Sequence, residues 1–361
     1  MITVYVPDVG DGLAAGIRTL DGTRIEVDCG SQYHAEVAFQ KGLYRIEPEA
    51  FFLSHFHTDH YNGLLHIPYP WPWPAIRQAF YPRIPVFKNR ETFLRCMLAM
   101  DHWLMGDTTG SMAADFLSVL SSINRNSFTY RSLCKGDTVS IGGSQYDVLW
   151  PPAMVDDDAT LKVIATAITD FNAAAQEDGS LRRILETIGE HGEMRPYMAE
   201  EGETGELPGR DDNAERSDDI PHAIPRVDLP KSIRKANASL RTAANHLSLA
   251  FHEDNKFLFM GDLEKHEIRQ VVRILEDKER NQFFATITPH HGTHWHKDLR
   301  HIHTCCAISS VGGRLFRHLS PQYKSISDIC LITHLNGDVE VPAFLPTWFG
   351  PRPWRYWSTF L

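Results

Sequence analysis

The sequence lacks the marks of several special classes of protein. Its 361 residues include no stretch that approaches the roughly 20 apolar residues of a membrane helix. The six cysteines include no CxxC pair and are too sparse for a disulfide framework. Residues 1–6 have the apolar pattern of a strand, and they lack the basic and then apolar layout of a signal peptide. These absences predict a cytoplasmic chain with reduced thiols and no association with a membrane.

The composition is that of a soluble globular protein, because hydrophobic residues make up 42% of the chain and charged residues 23%. It excludes a collagen-like, coiled-coil or wholly disordered chain. The net charge of −10 is concentrated, since residues 193–220 contain ten acidic residues and three arginines. That stretch has no apolar periodicity, so we expect a solvated or disordered acidic linker. Net charge therefore neither favours nor excludes a nucleic-acid partner.

Short strand patterns precede helical patterns in two halves of the chain, and a long insertion separates the halves. This order predicts an α/β fold with layered sheets. The insertion begins with apolar residues at helical spacing and ends in the acidic stretch. We therefore expect four segments: the first half of a sandwich at 1–155, the insertion at 156–236, the second half at 237–340 and an aromatic C-terminal tail at 341–361.

The strongest chemical signal is an HxHxDH pattern that directly follows an apolar run at 50–54, and its side chains are those of His55, His57, Asp59 and His60. Four polar groups that can bind metal are costly to bury at one strand end unless they share a partner. A pair of metal ions would be that partner. His55 and His57, two apart on an extended segment, would bind one ion from the same side. Asp59 and His60 would turn towards a second ion.

Two later strand ends add ligands. Asp262 follows the apolar run 257–260, and its carboxylate would bridge both ions. His290 and His291 follow the strand pattern at 284–288. One of this pair would bind the second metal, while the other would face substrate or support a ligand. Our first assignment makes His290 the metal ligand and His291 the catalytic residue, and the reverse stays open.

These motifs resemble the metallo-β-lactamase superfamily, with HxHxDH first, then a distant Gly-Asp after a strand, and then a strand-end histidine. Further segments, in family order over about residues 4–320, are similar to the metallo-hydrolase domain of the competence protein ComEC. They are Asp8-Val9-Gly10-Asp11-Gly12, Val27-Asp28-Cys29-Gly30, Val148-Leu149-Trp150-Pro151-Pro152, Asn245-His246-Leu247-Ser248-Leu249, Met260-Gly261-Asp262-Leu263-Glu264 and His290-His291-Gly292-Thr293. The resemblance implies a metallo-β-lactamase-like αββα sandwich, a dinuclear site at one edge of the sheets and hydrolysis of a phosphodiester. The helical and then disordered insertion would be an addition to this fold.

The resemblance also implies roles for residues outside the three motifs. Many members place a third histidine of the first metal site before the Gly-Asp strand; here His246 would serve, or Asn245 would take its place. Asp8 and Asp28 match positions that orient ligands. His318 matches a C-terminal histidine, which would either act on substrate or lie on plain surface.

The sequence thus predicts a hydrolase in which two divalent ions, Zn²⁺ or Mn²⁺ foremost, hold a water molecule and lower its pKa towards neutrality. The resulting hydroxide would attack phosphorus or a carbonyl carbon. Asp59 or Asp262 would orient it, and His291 or His318 would protonate the leaving group. The predicted metal ligands are His55, His57, Asp59, His60, His246, Asp262 and His290.

Three functions stay open at this point. A phosphodiesterase or nuclease is favoured, which implies an anionic partner such as a nucleic acid. Hydrolysis of a small ester, lactone, thioester or lactam is one alternative, and a non-catalytic regulatory metal-binding module is the other. A protein partner would dock on the insertion or on the aromatic tail. A basic patch follows the acidic stretch and is either a solvated helix face or a patch for an anionic substrate; it consists of Lys231, Arg234, Lys235 and Arg241.

Overall fold

The computed structural model describes residues 3–67, 76–106, 115–124, 126–188, 196–198, 203–208 and 229–342. Among them, one sheet contains eight strands: β1 (Thr3–Val6), β2 (Gly12–Arg18), β3 (Arg24–Ser31), β4 (Ala50–Phe52), β5 (Gln78–Pro82), β6 (Phe128–Leu133), β9 (Thr204–Leu207) and β15 (Val339–Pro342). Their order across this first sheet is β15-β1-β2-β3-β4-β5-β6-β9. The central strands β3 to β6 run parallel, and the flanking pairs are antiparallel.

The second sheet contains the remaining strands of these ranges: β7 (Thr138–Ile141), β8 (Ser144–Trp150), β10 (Ala250–Glu253), β11 (Phe257–Phe259), β12 (Gln282–Ile287), β13 (His303–Ser309) and β14 (Ser327–Ile332). Their order is β14-β13-β12-β11-β10-β8-β7. Strands β11 to β14 run parallel, while β7, β8 and β10 pair in antiparallel fashion. Each sheet therefore has a parallel core whose strand ends point to one edge.

The α-helices of the described residues are α1 (Ala35–Lys41), α2 (Leu43–Ile46), α3 (Arg90–Leu104), α4 (Phe116–Ile123), α5 (Asp158–Glu177), α6 (Gly179–Ile188), α7 (Lys231–Asn245), α8 (Lys265–Asp277) and α9 (Thr333–Asn336). Short 3₁₀ helices occupy Thr58–His60, Asn62–His66, Pro196–Met198, Pro289–Gly292, Lys297–His301, Leu315–His318 and Pro321–Ser325. None of the α-helices described is both long enough and apolar enough to span a membrane.

Three apolar cores give the fold four layers. Alternation along a strand sends successive side chains to opposite faces, so that in β4 Phe51 packs outward while Ala50 and Phe52 enter the core between the sheets. Helices α1 to α7 cover the outer face of the first sheet, and α8 covers the outer face of the second. The predicted αββα sandwich is confirmed.

The boundary between the two halves is less simple than the sequence suggests. Strands β7 and β8 precede the insertion but belong to the second sheet, and β15, near the end of the described chain, returns to pair with β1. The β7–β8 hairpin at 138–150 belongs to the second sheet because β8 pairs with β10. None of the six cysteines takes part in a disulfide bond.

The acidic stretch needs one correction. Residues 204–207, predicted as solvated linker, form β9 at the edge of the first sheet and pair antiparallel with β6. Every second residue of this strand is exposed. An edge strand with one face in solvent can form without a regular pattern of apolar residues. Residues 189–195, 199–202 and 209–228 of the insertion lie outside the described residues, as does the tail from 343 onward.

Candidate metal centre

The predicted ligands lie where the parallel strands of both sheets end. The segment 54–60 follows β4, Asp262 follows β11, and the pair at 290–291 follows β12. The backbone amide of Leu249 donates to the carbonyl of Ser54 at 2.7 Å, which ties the approach to β10 to the end of β4. Because the carboxyl ends of parallel strands share an edge, two distant parts of the chain meet at this point.

Five side chains form what we call the inner site: His55, His57, His60, Asp262 and His291. Ligand atoms of His55, His60 and Asp262 all lie within 4.8 Å of one another. His291 Nε2 lies 3.4 Å and His60 Nε2 lies 3.7 Å from Asp262 Oδ2. The rings of His55 and His57 meet edge to face, with centroids 4.3 Å apart. All five residues are buried.

Asp28 determines which nitrogen carries the proton in two of these rings. Its carboxylate accepts hydrogen bonds from the Ser54 amide and hydroxyl, both at 2.6 Å, and from His60 Nδ1 at 2.8 Å. Since the Ser54 hydroxyl gives its proton to Asp28, its oxygen accepts from His55 Nδ1 at 2.9 Å. Both Nε2 atoms are thereby left to face the centre of the site, and both are buried without a hydrogen-bond partner among the described residues. Asp28 holds this position with a φ of 56°, an uncommon conformation of the kind that accumulates at functional sites.

His291 is oriented in the same way by the second sheet. Its Nδ1 donates to the carbonyl of Ser310 at 2.9 Å, so that its Nε2 faces Asp262, 3.4 Å from Oδ2. The ring of His57 has both nitrogens buried without a hydrogen-bond partner. Four imidazoles therefore converge on one carboxylate, and among the described residues three of them, His55, His57 and His60, keep buried nitrogens without a hydrogen-bond partner. This donor set fits a divalent metal, for which imidazole and carboxylate are ordinary ligands.

The protonation states also fit cation binding. Burial lowers the pKa of His55 and of His57 well below the usual value, so both rings are neutral. Burial acts against charge on Asp262, but the adjacent His291 and His290 outweigh it and hold the pKa of that carboxyl well below its usual range. Burial acts against charge on His60 and His291 as well, but the carboxylates of Asp28 and Asp262 outweigh it, raising the pKa of His60 to about 9 and the pKa of His291 above its usual value. His55, His57 and Asp262 are thus in the forms that bind a metal, whereas a cation would displace a proton from His60 and from His291.

The turn that carries Asp59 and His60 depends on a close backbone approach. Residues Thr58–His60 form one 3₁₀ turn that packs against β3 at Gly30. A Cβ atom on Gly30 would lie 2.1 Å from the carbonyl oxygen of Asp59, a distance that no side chain tolerates. The Val-Asp-Cys-Gly segment thus supports the site twice, through the Asp28 carboxylate and through this glycine.

Asp59 has a different partner from the one expected. Arg241 on α7 donates from Nη1 to Oδ1 at 2.9 Å and from Nη2 to Oδ2 at 2.8 Å. Burial would raise the pKa of Asp59, but the guanidinium outweighs it and holds that pKa below its usual value. The structure therefore pairs Asp59 with a cation of the protein itself and does not group it with the inner site. The residues of the predicted basic patch therefore have different partners, because Arg241 contacts Asp59 whereas Lys235 donates to Asp170 at 2.7 Å.

Other predicted residues lie apart. His246 shares a hydrogen bond of 2.8 Å with Glu267 and belongs to neither of the two groups of potential ligands among the described residues. Helix α7 ends at Asn245, and the ring of His246 points to α8 rather than to the sheet edge. His318 lies exposed on a 3₁₀ turn. Asp8 accepts from the amide of Gly10, in the loop between β1 and β2.

His290 points away from the inner site. It lies with Glu264 and His294, and the three ligand atoms of this group fall within 4.8 Å of one another. Glu264 and His294 were not among the predicted metal ligands, and the contact of Arg241 with Asp59 was not predicted. Available signals were the position of Glu264 two residues after Asp262 and that of His294 four residues after His290.

No protein-family model and no curated protein sequence matches the chain. Among solved structures, it matches a long form RNase Z from yeast with 8% sequence identity and a TM-score of 0.36. The match covers 80% of this chain and 32% of that one, so the chain spans about a third of the length of that structure. A likeness this remote adds nothing to the evidence from the side chains themselves.

Proposed function

We propose that the chain is a metal-dependent hydrolase that cleaves phosphodiesters, either a nuclease or a phosphodiesterase. The observation that carries this proposal is the inner site, where four buried imidazoles surround the ionised Asp262 carboxylate and three of them, His55, His57 and His60, have nitrogens without a hydrogen-bond partner among the described residues. Burying so many polar atoms without a partner is unfavourable unless a cation satisfies them. The metal would be held by His55, His57, His60, Asp262 and His291.

The hydrogen bonds of these residues indicate which of them would bind the metal and which orient the ligands. When bound, a divalent cation supplies Lewis acidity, which lowers the pKa of water and polarises an oxygen of the substrate. Asp28 and Ser310 keep protons on Nδ1 of His60 and His291, which fixes both rings and presents Nε2. The assignment of His291 to the metal and His290 elsewhere reverses our first assignment from the sequence.

Arg241 supports an anionic substrate. Its guanidinium lies beside the inner site and keeps 37% of its side chain exposed. A small cavity next to it is lined by Phe56, His57, Leu240 and residues of α3. A planar guanidinium matches two oxygens of a phosphate as well as it matches a carboxylate. We propose that Arg241 contacts the phosphodiester while it remains near Asp59.

One observation favours a second candidate, a metal-binding module without turnover. His246 is engaged by Glu267, and Asp59 is engaged by Arg241, so two of the predicted ligands are not offered to a metal. A regulatory module needs a stable cation site but no open position for substrate. The two candidates differ in turnover, not in metal content.

The test compares turnover by the metal-loaded full chain across substrate classes. Bis-p-nitrophenyl phosphate and single-stranded DNA probe diester cleavage, and a β-lactam probes the alternative hydrolase. We expect cleavage of a diester that is lost in Asp262→Asn and kept in His303→Ala, which changes an exposed histidine on the far end of β13. Two failures would contradict the proposal: cleavage of the lactam alone, or no turnover of any substrate by protein that contains metal.

A further inference from the structure

A second group of ligands lies beside the inner site and faces away from it. We propose that Glu264, His290 and His294 form a separate divalent-cation site, the outer site. Two of these residues, Glu264 and His294, belong to no ligand set expected from the sequence. The proposal concerns metal binding alone and does not rest on the proposed hydrolase activity.

The geometry of the outer site is convergent. His294 Nδ1 lies 3.2 Å from Glu264 Oε2, and His290 Nδ1 lies 3.8 Å from Glu264 Oε1. The two rings face each other, with centroids 3.9 Å apart at 37°. Both Nδ1 atoms are buried and have no hydrogen-bond partner among the described residues. Two unsatisfied imidazole nitrogens aimed at one carboxylate leave a gap that a cation would fill.

The backbone of the loop after β12 separates the two sites. His290 and His291 both have positive φ, 49° and 59°, which is rare for residues other than glycine. As a result their rings diverge, with planes at 83° and centroids 6.2 Å apart. His291 turns to Asp262, and His290 turns to Glu264. Strain of this kind persists where the surrounding structure requires it, often at ligand sites.

The loop after β11 also contributes one residue to each site. Asp262 enters the inner site, and Glu264, two residues later, enters the outer site. The loops are held together, since the amide of His290 donates to the carbonyl of Gly261 at 2.9 Å. Asn245 Nδ2 donates to Glu264 Oε1 at 3.4 Å, which brings the end of α7 into contact with the outer site. Two adjacent loops therefore supply one carboxylate and at least one imidazole to each site.

The ligand types indicate the class of cation. Two imidazoles and one carboxylate are a set that Zn²⁺, Mn²⁺ and Fe²⁺ accept, with a further position open to water. The side chains are 22–23% exposed, so a cation could enter directly from solvent. The outer site would hold its metal more weakly than the buried inner site.

The experiment measures metal content and Co²⁺ absorption in the full-length chain. Glu264→Gln and His294→Ala should each lose about one equivalent of Co²⁺, because each removes one of three ligands. Asp262→Asn should lose metal from the inner site and keep the outer equivalent, which the double variant with Glu264→Gln then loses. Glu276→Gln, which changes an acid on the surface of α8, is the matched control and should keep the full metal content.

Equal metal content and affinity in the wild-type chain, Glu264→Gln and His294→Ala would overturn the proposal. Either variant suffices if the other does not fold. The two proposals fail separately. A chain that hydrolyses diesters with unchanged metal content in Glu264→Gln contradicts only the outer site. A chain that loses metal in that variant but cleaves no diester contradicts only the proposed activity.

Discussion

The inner and outer sites use the same kinds of ligand but differ in how the protein supports them. In the inner site, three of the four rings have one nitrogen fixed by a partner, and the other nitrogen faces the shared centre. In the outer site, both Nδ1 atoms face Glu264 and neither has a hydrogen-bond partner. The inner ligands are buried, and the outer ones are half-buried. On this comparison, the loops after β11 and β12 contribute ligands both to a preorganised site and to an adaptable one.

The largest effect is expected at Asp262, the carboxylate at the centre of the inner site. Asp262→Asn should lower diester turnover by about a thousandfold or more, because it removes the charge that holds the cation. The outer equivalent of metal should remain. Steady-state kinetics and metal analysis on the same preparation check both statements, with His303→Ala as control. Undiminished turnover by a folded variant would remove Asp262 from the mechanism.

The next largest effect is expected at Asp28, whose hydrogen bond to His60 orients a ligand of the inner site. Asp28→Asn retains a side chain that tolerates positive φ but loses the charge facing His60. We expect metal affinity at the inner site to fall by about 10- to 100-fold, with the outer site unchanged. A competition titration with a chelator of known affinity measures this. An equal loss at both sites would show that the preorganisation is not local to the inner site.

Arg241 sharpens the comparison from the substrate side, because it lies near the inner site only. Arg241→Lys keeps the charge but loses the planar fork that holds Asp59. We expect KM for a diester to rise by about tenfold, with a smaller change in kcat. Kinetics over a range of ionic strength measure the effect. A fall in kcat at constant KM would instead make Arg241 a positioning residue for Asp59.

The smallest effect concerns Glu26, a buried carboxyl on β3 near Asp28 that has no hydrogen-bond partner. Burial, with the charge of Asp28 as a lesser cause, raises the pKa of Glu26 well above its usual value. Because the pKa of Glu26 is raised in the folded state, its contribution to the free energy of unfolding is fully present below the unfolded pKa of 4.5. This contribution is lost as pH rises towards the folded pKa.

Glu26→Gln should therefore stabilise the chain at neutral pH by about 1 kcal/mol, which corresponds to a rise in Tm of about 1–2 °C for a chain of this size. Thermal unfolding at several pH values measures the difference, which should shrink as pH falls towards 4.5. A difference that is constant with pH would contradict the account. That result would mean that Glu26 affects stability through its packing and not through its charge. The charge of Asp28, by contrast, has hydrogen-bond partners.

Much of the inner site could be predicted from sequence because its ligands stand at the ends of recognisable strands. His55, His57 and His60 follow one apolar run, and Asp262 follows another. In a sandwich with parallel strands, those ends share one edge, so the convergence of the two sheets follows from the pattern. Layered α/β sheets were predictable because strand patterns precede helical patterns in both halves of the chain, and the αββα order was implied by the resemblance.

What could not be predicted depends on backbone conformation and on long-range packing. The different directions in which His290 and His291 point go with two positive φ angles, which the letters His-His-Gly do not reveal. The pairing of Arg241 with Asp59 depends on where α7 lies, and α7 follows a long insertion in the sequence. The role of His246 depends on α8, since Glu267 draws its ring away from the sheet edge.

The central claim is that a divalent cation at the inner site drives hydrolysis of a phosphodiester. Its most direct test is turnover of bis-p-nitrophenyl phosphate by one preparation before chelation, after removal of metal and after addition of Zn²⁺ or Mn²⁺. The account predicts activity that disappears with the metal and returns with it. Equal turnover by metal-free protein, or none by protein shown to contain metal, would contradict it.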